Sequence, residues 1–569
     1  MRRMMVLLVL CTMTLAVSAS RAKIEFKDYV QPDGTIFTLT LWGNAHFHCY
    51  RDLAGHVFSR DSLGFFHPIT IPVTDDVPEV FPTRSISGIS DIGYCDAGWN
   101  AMRVYRQLVV LVEFADCSFS CEDPRGTYDA MFNEPGYNQR LGAGCVADYF
   151  RDQSQGLLNL QFDVYGPFKV SSSVRSSAKK DHGPSIFQEA MRLMMAENPD
   201  VDFSPYDWNG NKRVNQVVFV YAGYAGNQTA VADEGYLWPN TWTFGSVTTP
   251  DGYRVSAYSA SGELWTNDTS CGIGTICHEL SHALSPTGSA SMALPDIYPT
   301  GSSDDLPFSV VDEWDLMDGG PSTNRGWCPP NYSPLEKMIM GWLEPEELTG
   351  DTVISNLKPL AEGGMVFLIR HTDSEFLLLE NRQWSGWDLG LPGRGLLIYH
   401  VKFDRGRWVG NIVNNVSGKP YYSIVAADNM DFDDWWTLHV ARHGRKSQYY
   451  NNGRMNSTLM STAAYPWQTD STSFVNRTLN ATSAPSTQMY DTDANGSRFL
   501  SKSITDITQH ADGTVSFTLR NGQADGIRTA RRTGAAKGVY SLSGSSLDAP
   551  LEQLPKGIYI VDGKKIVRR

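Results

Sequence analysis

The chain has 569 residues, of which 41% are hydrophobic and 19% charged, and its formal net charge is -14. That length is too great for a single core, and the composition is typical of a globular protein rather than a disordered or fibrous one. The acidic charge, with no basic stripe in the sequence, argues against a nucleic-acid partner.

The N-terminus has the order of a secretory signal peptide. Three residues with two arginines precede an apolar run over residues 4–17, and the small residues Ser18, Ala19 and Ser20 follow. This order predicts a signal peptide at residues 1–19 and a protein that is secreted or displayed at the cell surface. The alternative is an uncleaved membrane anchor.

Short strands and turns predict a small β unit over residues 20–106, where residues 37–42 alternate in polarity. A different pattern begins at residue 107. Residues 108–112 and 217–221 are short apolar runs typical of buried strands, and residues 185–197 have helical spacing between them. Residues 107–345 are therefore predicted to be an α/β (α+β) domain.

Helical periodicity fades after residue 345. Apolar runs at 365–369 and 395–399 predict a β-rich domain over residues 346–521, with long loops in the stretch 451–497. Residues 523–569 carry a net charge of +5 on an otherwise acidic chain. Residues 522–569 are therefore predicted to be a linker and a separate terminal module.

The strongest chemical signal is His278-Glu279-Leu280-Ser281-His282. On a helix, positions i and i+4 lie on one face, so two imidazoles can each donate a nitrogen to one zinc ion. Glu279 can then act as the general base toward a water activated by the metal. The alternative is a chance match on an ordinary buried helix.

A zinc site with an open position needs one more protein ligand. Asp296, in Leu294-Pro295-Asp296, is the candidate, and a turn aspartate after proline is the alternative. Further on, Met317 precedes a Gly-rich turn, which is the arrangement found beneath the metal in metzincin-like proteases. A core methionine beside a loop is the other interpretation.

With these motifs in place, the chain resembles the immune inhibitor A family of secreted bacterial zinc metalloproteases over residues 37–520. The matching stretches, besides the zinc motif, are 108–114 (LVVLVEF), 148–154 (DYFRDQS), 162–167 (FDVYGP), 202–207 (DFSPYD), 314–320 (WDLMDGG), 340–343 (MGWL), 380–382 (ENR) and 395–401 (GLLIYHV).

The resemblance implies a pro-segment at 20–106, a metzincin-like catalytic domain at 107–345 and a β-rich domain behind it. It also implies endopeptidase activity on protein or peptide substrates. It assigns the metal ligands to His278, His282 and Asp296, the base to Glu279 and the Met-turn to Met317.

The sequence departs from the family pattern after the second histidine. Thirteen residues separate His282 from Asp296, more than the family usually has, and Ser285 replaces a glycine. The extra residues are small and polar, so we expect them to form a bulging loop. Trp238-Pro239-Asn240 stands where relatives tend to have Trp-Pro-His.

Two further sites have open alternatives. Asp207, Asn209 and Asn211 occupy a place where relatives often have an Asp-rich turn, so they form either a structural calcium site or a plain Asx turn. Cys49, near His46, is either a thiol that caps the zinc in a zymogen or half of a disulfide with Cys95. Eight cysteines follow the signal peptide, and that even count favours the disulfide.

The terminal module resembles the sorting tails of the type IX secretion system, through residues 538–544 (GVYSLSG) and 554–565 (LPKGIYIVDGKK). The resemblance implies export by that secretion machinery. Taken together, the sequence predicts a secreted zinc metalloendopeptidase made as a zymogen. The competing hypothesis is a catalytically degenerate surface protein that uses its β-rich domain for adhesion. A metal-dependent hydrolase of non-peptide bonds is a further alternative.

Overall fold

The computed structural model describes residues 18–19, 26–43, 48–52, 56–61, 63–69, 99–137, 142–175, 183–227, 235–265, 268–285, 293–301, 306–436, 448–451, 454–457, 460–468, 475–522, 539–541, 546–547, 553, 557–561 and 564–568. Most of the predicted signal peptide lies outside these residues. The chain divides into two compact units, Met1–Asn521 and Gly522–Arg569. Among the described residues, no helix has the length and apolarity needed to cross a membrane.

The first unit begins with short strands. They are β1 (Ser18–Ala19), β2 (Lys27–Val30), β3 (Ile36–Gly43), β4 (His48–Arg51), β5 (Val57–Arg60) and β6 (Phe66–Pro68). Strands β2 to β6 form an antiparallel meander in chain order, and the strand predicted at residues 37–42 lies within β3. Leu39, Leu41 and Phe58 of this meander are buried together with Trp238.

A seven-stranded sheet forms the centre of the first unit. Its region contains β7 (Val104–Glu113), α1 (Pro124–Asn133), α2 (Val146–Gln153), β8 (Asn159–Lys169), α3 (Pro184–Glu197), β9 (Val217–Tyr224), β10 (Asn240–Thr248), β11 (Arg254–Trp265), β12 (Thr269–Ser270), α4 (Gly274–His282) and α5 (Pro334–Ile339). Short 3-10 helices lie at Ser204–Tyr206, Asp312–Trp314 and Gly320–Gly326.

The strand order is β1-β10-β11-β9-β7-β8, with β12 paired to β11. Strands β8, β7, β9 and β11 run parallel to one another, and β10 is antiparallel to β11. The continuous apolar sequence of β7 and β9 follows from this arrangement, because both strands are covered on both faces. The fold is therefore mixed α/β, and the predicted strands at 108–112 and 217–221 and helix at 185–197 are confirmed.

The rest of the first unit is mostly strand. Its elements are β13 (Glu346–Glu347), β14 (Thr352–Leu357), β15 (Phe367–Arg370), β16 (Glu375–Arg382), β17 (Gly395–Lys402), α6 (Arg405–Val409), β18 (Tyr422–Ile424), α7 (Phe432–Trp435), β19 (Gln448–Asn451), β20 (Arg454–Ser457), β21 (Trp467–Gln468), β22 (Val475–Asn476), β23 (Lys502–Gln509) and β24 (Val515–Asn521), with 3-10 helices at Leu360–Glu362 and Gly386–Gly390. The larger sheets are β13-β15-β16-β17-β18 and β14-β24-β23.

One buried core joins the two halves of the first unit. Ile276 and Leu280 of α4 belong to the same apolar cluster as Val401 and Trp408, which lie at and after the end of β17. Helix α4 is therefore packed against residues that are more than a hundred positions away in sequence.

The second unit is a small sheet of four strands. They are β25 (Val539–Ser541), β26 (Ser546–Leu547), β27 (Gly557–Val561) and β28 (Lys564–Arg568), in the order β26-β25-β27-β28. The tail stretches singled out in the sequence, 538–544 and 554–565, contain β25 and β27.

Candidate metal centre

Helix α4 carries the histidine pair. His278, Glu279 and His282 are essentially inaccessible to solvent, and the whole helix is buried. The helix begins at Gly274, where a β-carbon would collide with the carbonyl oxygen of Pro321. It ends at His282, ahead of Pro286. The predicted helix is confirmed, and its two histidine rings lie one turn apart on one face, with centroids 4.7 Å from each other.

Backbone carbonyls orient both rings. The Nδ1 of His278 lies 2.9 Å from the carbonyl oxygen of Leu316, and the Nδ1 of His282 lies 2.6 Å from that of Leu294. A carbonyl only accepts, so each Nδ1 carries a proton and each Nε2 is directed at Asp296 on the other side of the site. Metal-binding histidines are typically held in this way.

Asp296 lies directly opposite the two rings. Its Oδ1 is 3.2 Å from the Nε2 of His278 and 3.5 Å from the Nε2 of His282, and the two Nε2 atoms are 3.2 Å apart. The amide of Ala293 donates to the carbonyl oxygen of His282 at 2.7 Å, so the chain is back at the end of α4 after the inserted residues. The long spacing in sequence is therefore bridged in space.

The spacing of these three atoms fits a metal ion. Bonds of about 2.0–2.1 Å at tetrahedral angles place donor atoms about 3.3 Å apart, which is the separation observed. His278, Glu279 and His282 also form a buried group whose ligand atoms lie within 4.8 Å of one another, and this group could hold a metal ion. We favour Asp296 over Glu279 as the third donor because its oxygen closes a nearly equilateral triangle with both nitrogens.

The charges of the site also suit a cation. Burial opposes ionisation of Asp296, yet His282 and His278 outweigh it and hold the pKa of Asp296 well below its usual range. Burial likewise disfavours a charged His278, but Asp296 and Glu279 raise the pKa of His278 to about 9. The carboxylates thus favour a positive charge at the imidazoles, and a bound cation would supply that charge in place of a proton.

Glu279 is held at the edge of the central sheet. The hydroxyl of Thr241, near the start of β10, contacts Oε2 of Glu279 at 2.9 Å and its backbone oxygen at 2.7 Å. At the same edge, Ser18 pairs with Thr241 and Ala19 with Asn240, so β1 extends the sheet antiparallel to β10. An extended segment of chain thus lies beside the catalytic base predicted from sequence.

Met317 is tied to the ligand side of the site through its backbone. Its carbonyl oxygen accepts from the amide of Ile297, the residue after Asp296, at 2.8 Å. Its own amide donates to the Oδ1 of Asp315 at 2.7 Å. The turn that contains Met317 therefore supports His278, through Leu316, and Asp296, through Ile297.

A buried carboxyl pair lies under this turn. Asp315 and Glu336 are fully buried, and their carboxyl groups interact with each other. Burial, with the neighbouring carboxyl Asp318, raises the pKa of Asp315 to about 6, and burial with Asp315 raises the pKa of Glu336 well above its usual value. The pair therefore retains a proton at neutral pH and carries one negative charge rather than two beneath the turn.

The other predicted residues lie in separate places. Both carboxylate oxygens of Asp207 accept backbone N–H groups, from Gly210, Asn211 and Lys212, as an Asx turn requires. The side chain of Asn209 also accepts, from the amide of Asn211. The calcium site stays a prediction.

Cys49 is buried in β4, and its predicted partner Cys95 lies outside the described residues.

Two residues of the site were not predicted from the sequence. Thr241 contacts Glu279, and Asn411 makes two hydrogen bonds to Asp296. Asn411 is the first of three asparagines in residues 411–415, a composition that indicates a turn and gives no sign of a metal site.

Comparisons with protein-family models and with curated proteins give no match for this chain.

Proposed function

We propose that the chain is a secreted, zinc-dependent metalloendopeptidase related to the immune inhibitor A family. The observation that carries the proposal is the triangle of Nε2, Nε2 and Oδ1 atoms, 3.2 to 3.5 Å apart, with Glu279 buried beside it. Imidazole and carboxylate donors in a three-ligand set suit zinc in its catalytic form. His278, His282 and Asp296 would hold it.

Zinc held there would polarise the scissile carbonyl and lower the pKa of a water molecule in the site. Glu279 takes the proton from the attacking water and passes it to the nitrogen of the leaving amine. Thr241 keeps the Glu279 carboxylate in place by donating to its Oε2. The bonds from Nδ1 to the carbonyls of Leu316 and Leu294 keep the histidine rings aimed at one point.

A peptide is the substrate that this edge of the sheet favours. Strand β10 already takes one extended segment, β1, in antiparallel pairing at Asn240 and Thr241. An extended substrate could add to the same edge through main-chain hydrogen bonds, which accept any sequence. Its scissile bond would then lie near Glu279, because Thr241 both pairs with the segment at this edge and contacts Glu279.

Processing and export belong to the same proposal. Residues 20–106 would be a pro-segment, and residues 522–569 a tail used by the secretion machinery. Deletion of residues 535–569 in the native host should abolish export. Normal export of that variant would refute the role of the tail without affecting the chemistry.

The test of the chemistry is casein cleavage by the processed protein. Cleavage should stop when a zinc chelator is added, return when zinc is restored, and be missing in Glu279→Ala. A zinc-loaded, processed protein that cleaves nothing in a broad peptide library would contradict the proposal. That outcome would favour the adhesion hypothesis.

A further inference from the structure

The third donor is held by a distant part of the chain. Residues 405–415, which include α6 and which we name the strap, lie against residues 293–300, which we name the ligand loop. Four side chains of the strap bond to the loop. The Nε1 of Trp408 donates to the backbone oxygen of Ala293 at 3.0 Å, and the side chain of Asn411 bonds to Asp296. The Nδ2 of Asn414 donates to the backbone oxygen of Ile297 at 2.7 Å, and the Oδ1 of Asn415 accepts from the amide of Thr300 at 2.8 Å.

Asn411 makes the contact with the ligand itself. Its Nδ2 donates to the Oδ2 of Asp296 at 2.8 Å, and its Oδ1 accepts from the amide of Asp296 at 2.6 Å. The two bonds fix the carboxylate relative to its own backbone. Oδ2 points to the strap, and Oδ1 is left pointing at the two histidine nitrogens.

The backbone of Asn411 is suited to this position. Its φ angle is +56°, in the left-handed region that asparagine and glycine tolerate better than other residues. Its carbonyl oxygen also accepts from the hydroxyl of Thr300, which joins the strap to the far end of the ligand loop. Asn411 is 5% exposed, so these bonds are made away from water.

The length of the insertion gives the strap its importance. Thirteen residues lie between His282 and Asp296, so the covalent link to α4 does not by itself determine where the Asp296 carboxylate points. Contacts from elsewhere supply the missing constraint, and Asn411 supplies two of them at Asp296 itself.

We propose that Asn411 is the positioning residue of the metal centre, and that the strap thereby makes metal affinity depend on the β-rich part of the chain. This inference rests on the proposed metal site. Asn411 acts through Asp296, to which both of its side-chain bonds run. Removal of such an outer partner typically weakens metal binding about 10- to 100-fold.

The test is zinc affinity of the full processed chain, measured by competition with a chelating dye, for wild type and Asn411→Asp. Aspartate tolerates the same backbone conformation but cannot donate to Asp296, and it places one carboxylate against another. We expect zinc affinity to fall about 10- to 100-fold. The visible absorption of the cobalt-substituted protein should change as well, because the donor set becomes less regular.

The matched control is Asn476→Asp. Asn476 is also 5% exposed, and its Nδ2 donates to the backbone oxygens of Ala427 and Ala484. That variant should lose stability without any change in zinc affinity or cobalt spectrum. If Asn411→Asp is not recovered folded, Asn411→Gly removes the same bonds and suits the positive φ angle. Wild-type zinc affinity in either Asn411 variant would overturn the proposal.

Amide hydrogen exchange of the wild-type protein, with and without zinc, tests the proposal independently. Coupling between two sites is reciprocal, so removal of zinc should speed amide exchange in the strap as well as in α4. Unchanged exchange in residues 408–415 would count against the role of Asn411. The two proposals fail differently: a wild-type chain that binds no zinc refutes the metal site, whereas tight binding that ignores Asn411 refutes only this inference.

Discussion

Helix α4 and the ligand loop carry the ligands of the proposed metal site but are built in different ways. In α4 the two histidines are four residues apart, and the helix alone places their rings on one face. In the ligand loop, Asp296 is placed by long-range bonds. His282 and Met317 accept from its neighbours Ala293 and Ile297, and Asn411 bonds to Asp296 itself. Local geometry determines the first arrangement, and long-range contacts determine the second.

This difference has a practical consequence. Replacement of Glu279 should act on the chemistry directly and replacement of a proposed ligand should act on metal affinity, whereas changes in the strap should act on metal affinity and stability together.

Glu279→Gln should have the largest effect on turnover. Glutamine keeps an oxygen that can accept from Thr241 but cannot take a proton, so cleavage should fall by about 10²- to 10⁴-fold. Zinc affinity should stay at the wild-type value because the donor triangle is intact. Steady-state cleavage of a peptide and zinc competition measure the two quantities. Near-normal cleavage by the variant would remove Glu279 from the mechanism.

His282→Ala and Asp296→Ala should both weaken zinc binding by more than ~100-fold, because each removes a metal ligand. Loss of a residue that only hydrogen-bonds to a ligand, such as Asn411, weakens binding by at most about that factor. His371→Ala is the control, since the Nε2 of that ring faces the backbone oxygen of Asp491 in the β-rich part. Dye competition gives the affinities. Wild-type affinity in Asp296→Ala would show that the third donor is another group, with Glu279 the first to consider.

Glu375→Gln tests the sheet from which the strap emerges. Glu375, in β16, accepts from the His400 ring and from the amides of Tyr490 and Asp491. Burial opposes its ionisation, yet these bonds lower the pKa of Glu375 from 4.5 to about 2. The carboxylate therefore stabilises the fold fully above pH ~4.5, and this contribution is lost as the pH falls through about 2.

At pH 7 the Glu375→Gln variant should lose up to about 3 kcal/mol in the free energy of unfolding. Between pH ~4.5 and 2 the wild type should lose stability more steeply than the variant. Urea unfolding across that range measures both. Equal pH dependence of stability in the two proteins would show that ionised Glu375 does not stabilise the fold.

Trp408→Phe should have the smallest effect. It keeps an aromatic ring in the core but leaves the carbonyl of Ala293 without its donor, at a cost of about 1–3 kcal/mol. Zinc affinity should fall less than in Asn411→Asp, because Ala293 is not a ligand. Trp384→Phe, which loses a similar bond to Leu391, is the control and should leave zinc affinity unchanged. A larger loss of zinc affinity in Trp408→Phe than in Asn411→Asp would mean that the strap acts chiefly through Trp408.

The sequence was most informative where structure is local. Periodicity predicted β7, β9, α3 and α4, since apolar spacing depends on neighbours only a few residues apart. The i, i+4 spacing predicted the histidine pair for the same reason. Asp296 could be proposed from its chemistry, but its distance from the histidine rings could not, because the sequence does not determine the path of the chain between His282 and Asp296. Asn411 could not be identified, because its bonds to Asp296 cross 115 positions of sequence.

The most direct test of the whole account is a titration of the zinc-free, processed protein with zinc while casein cleavage is followed. Activity should rise linearly and level off at one zinc per chain, and Glu279→Ala should bind the same one zinc without activity. A chain that binds zinc at this ratio but cleaves neither casein nor any library peptide, or one that cleaves equally well without metal, would contradict the central claim.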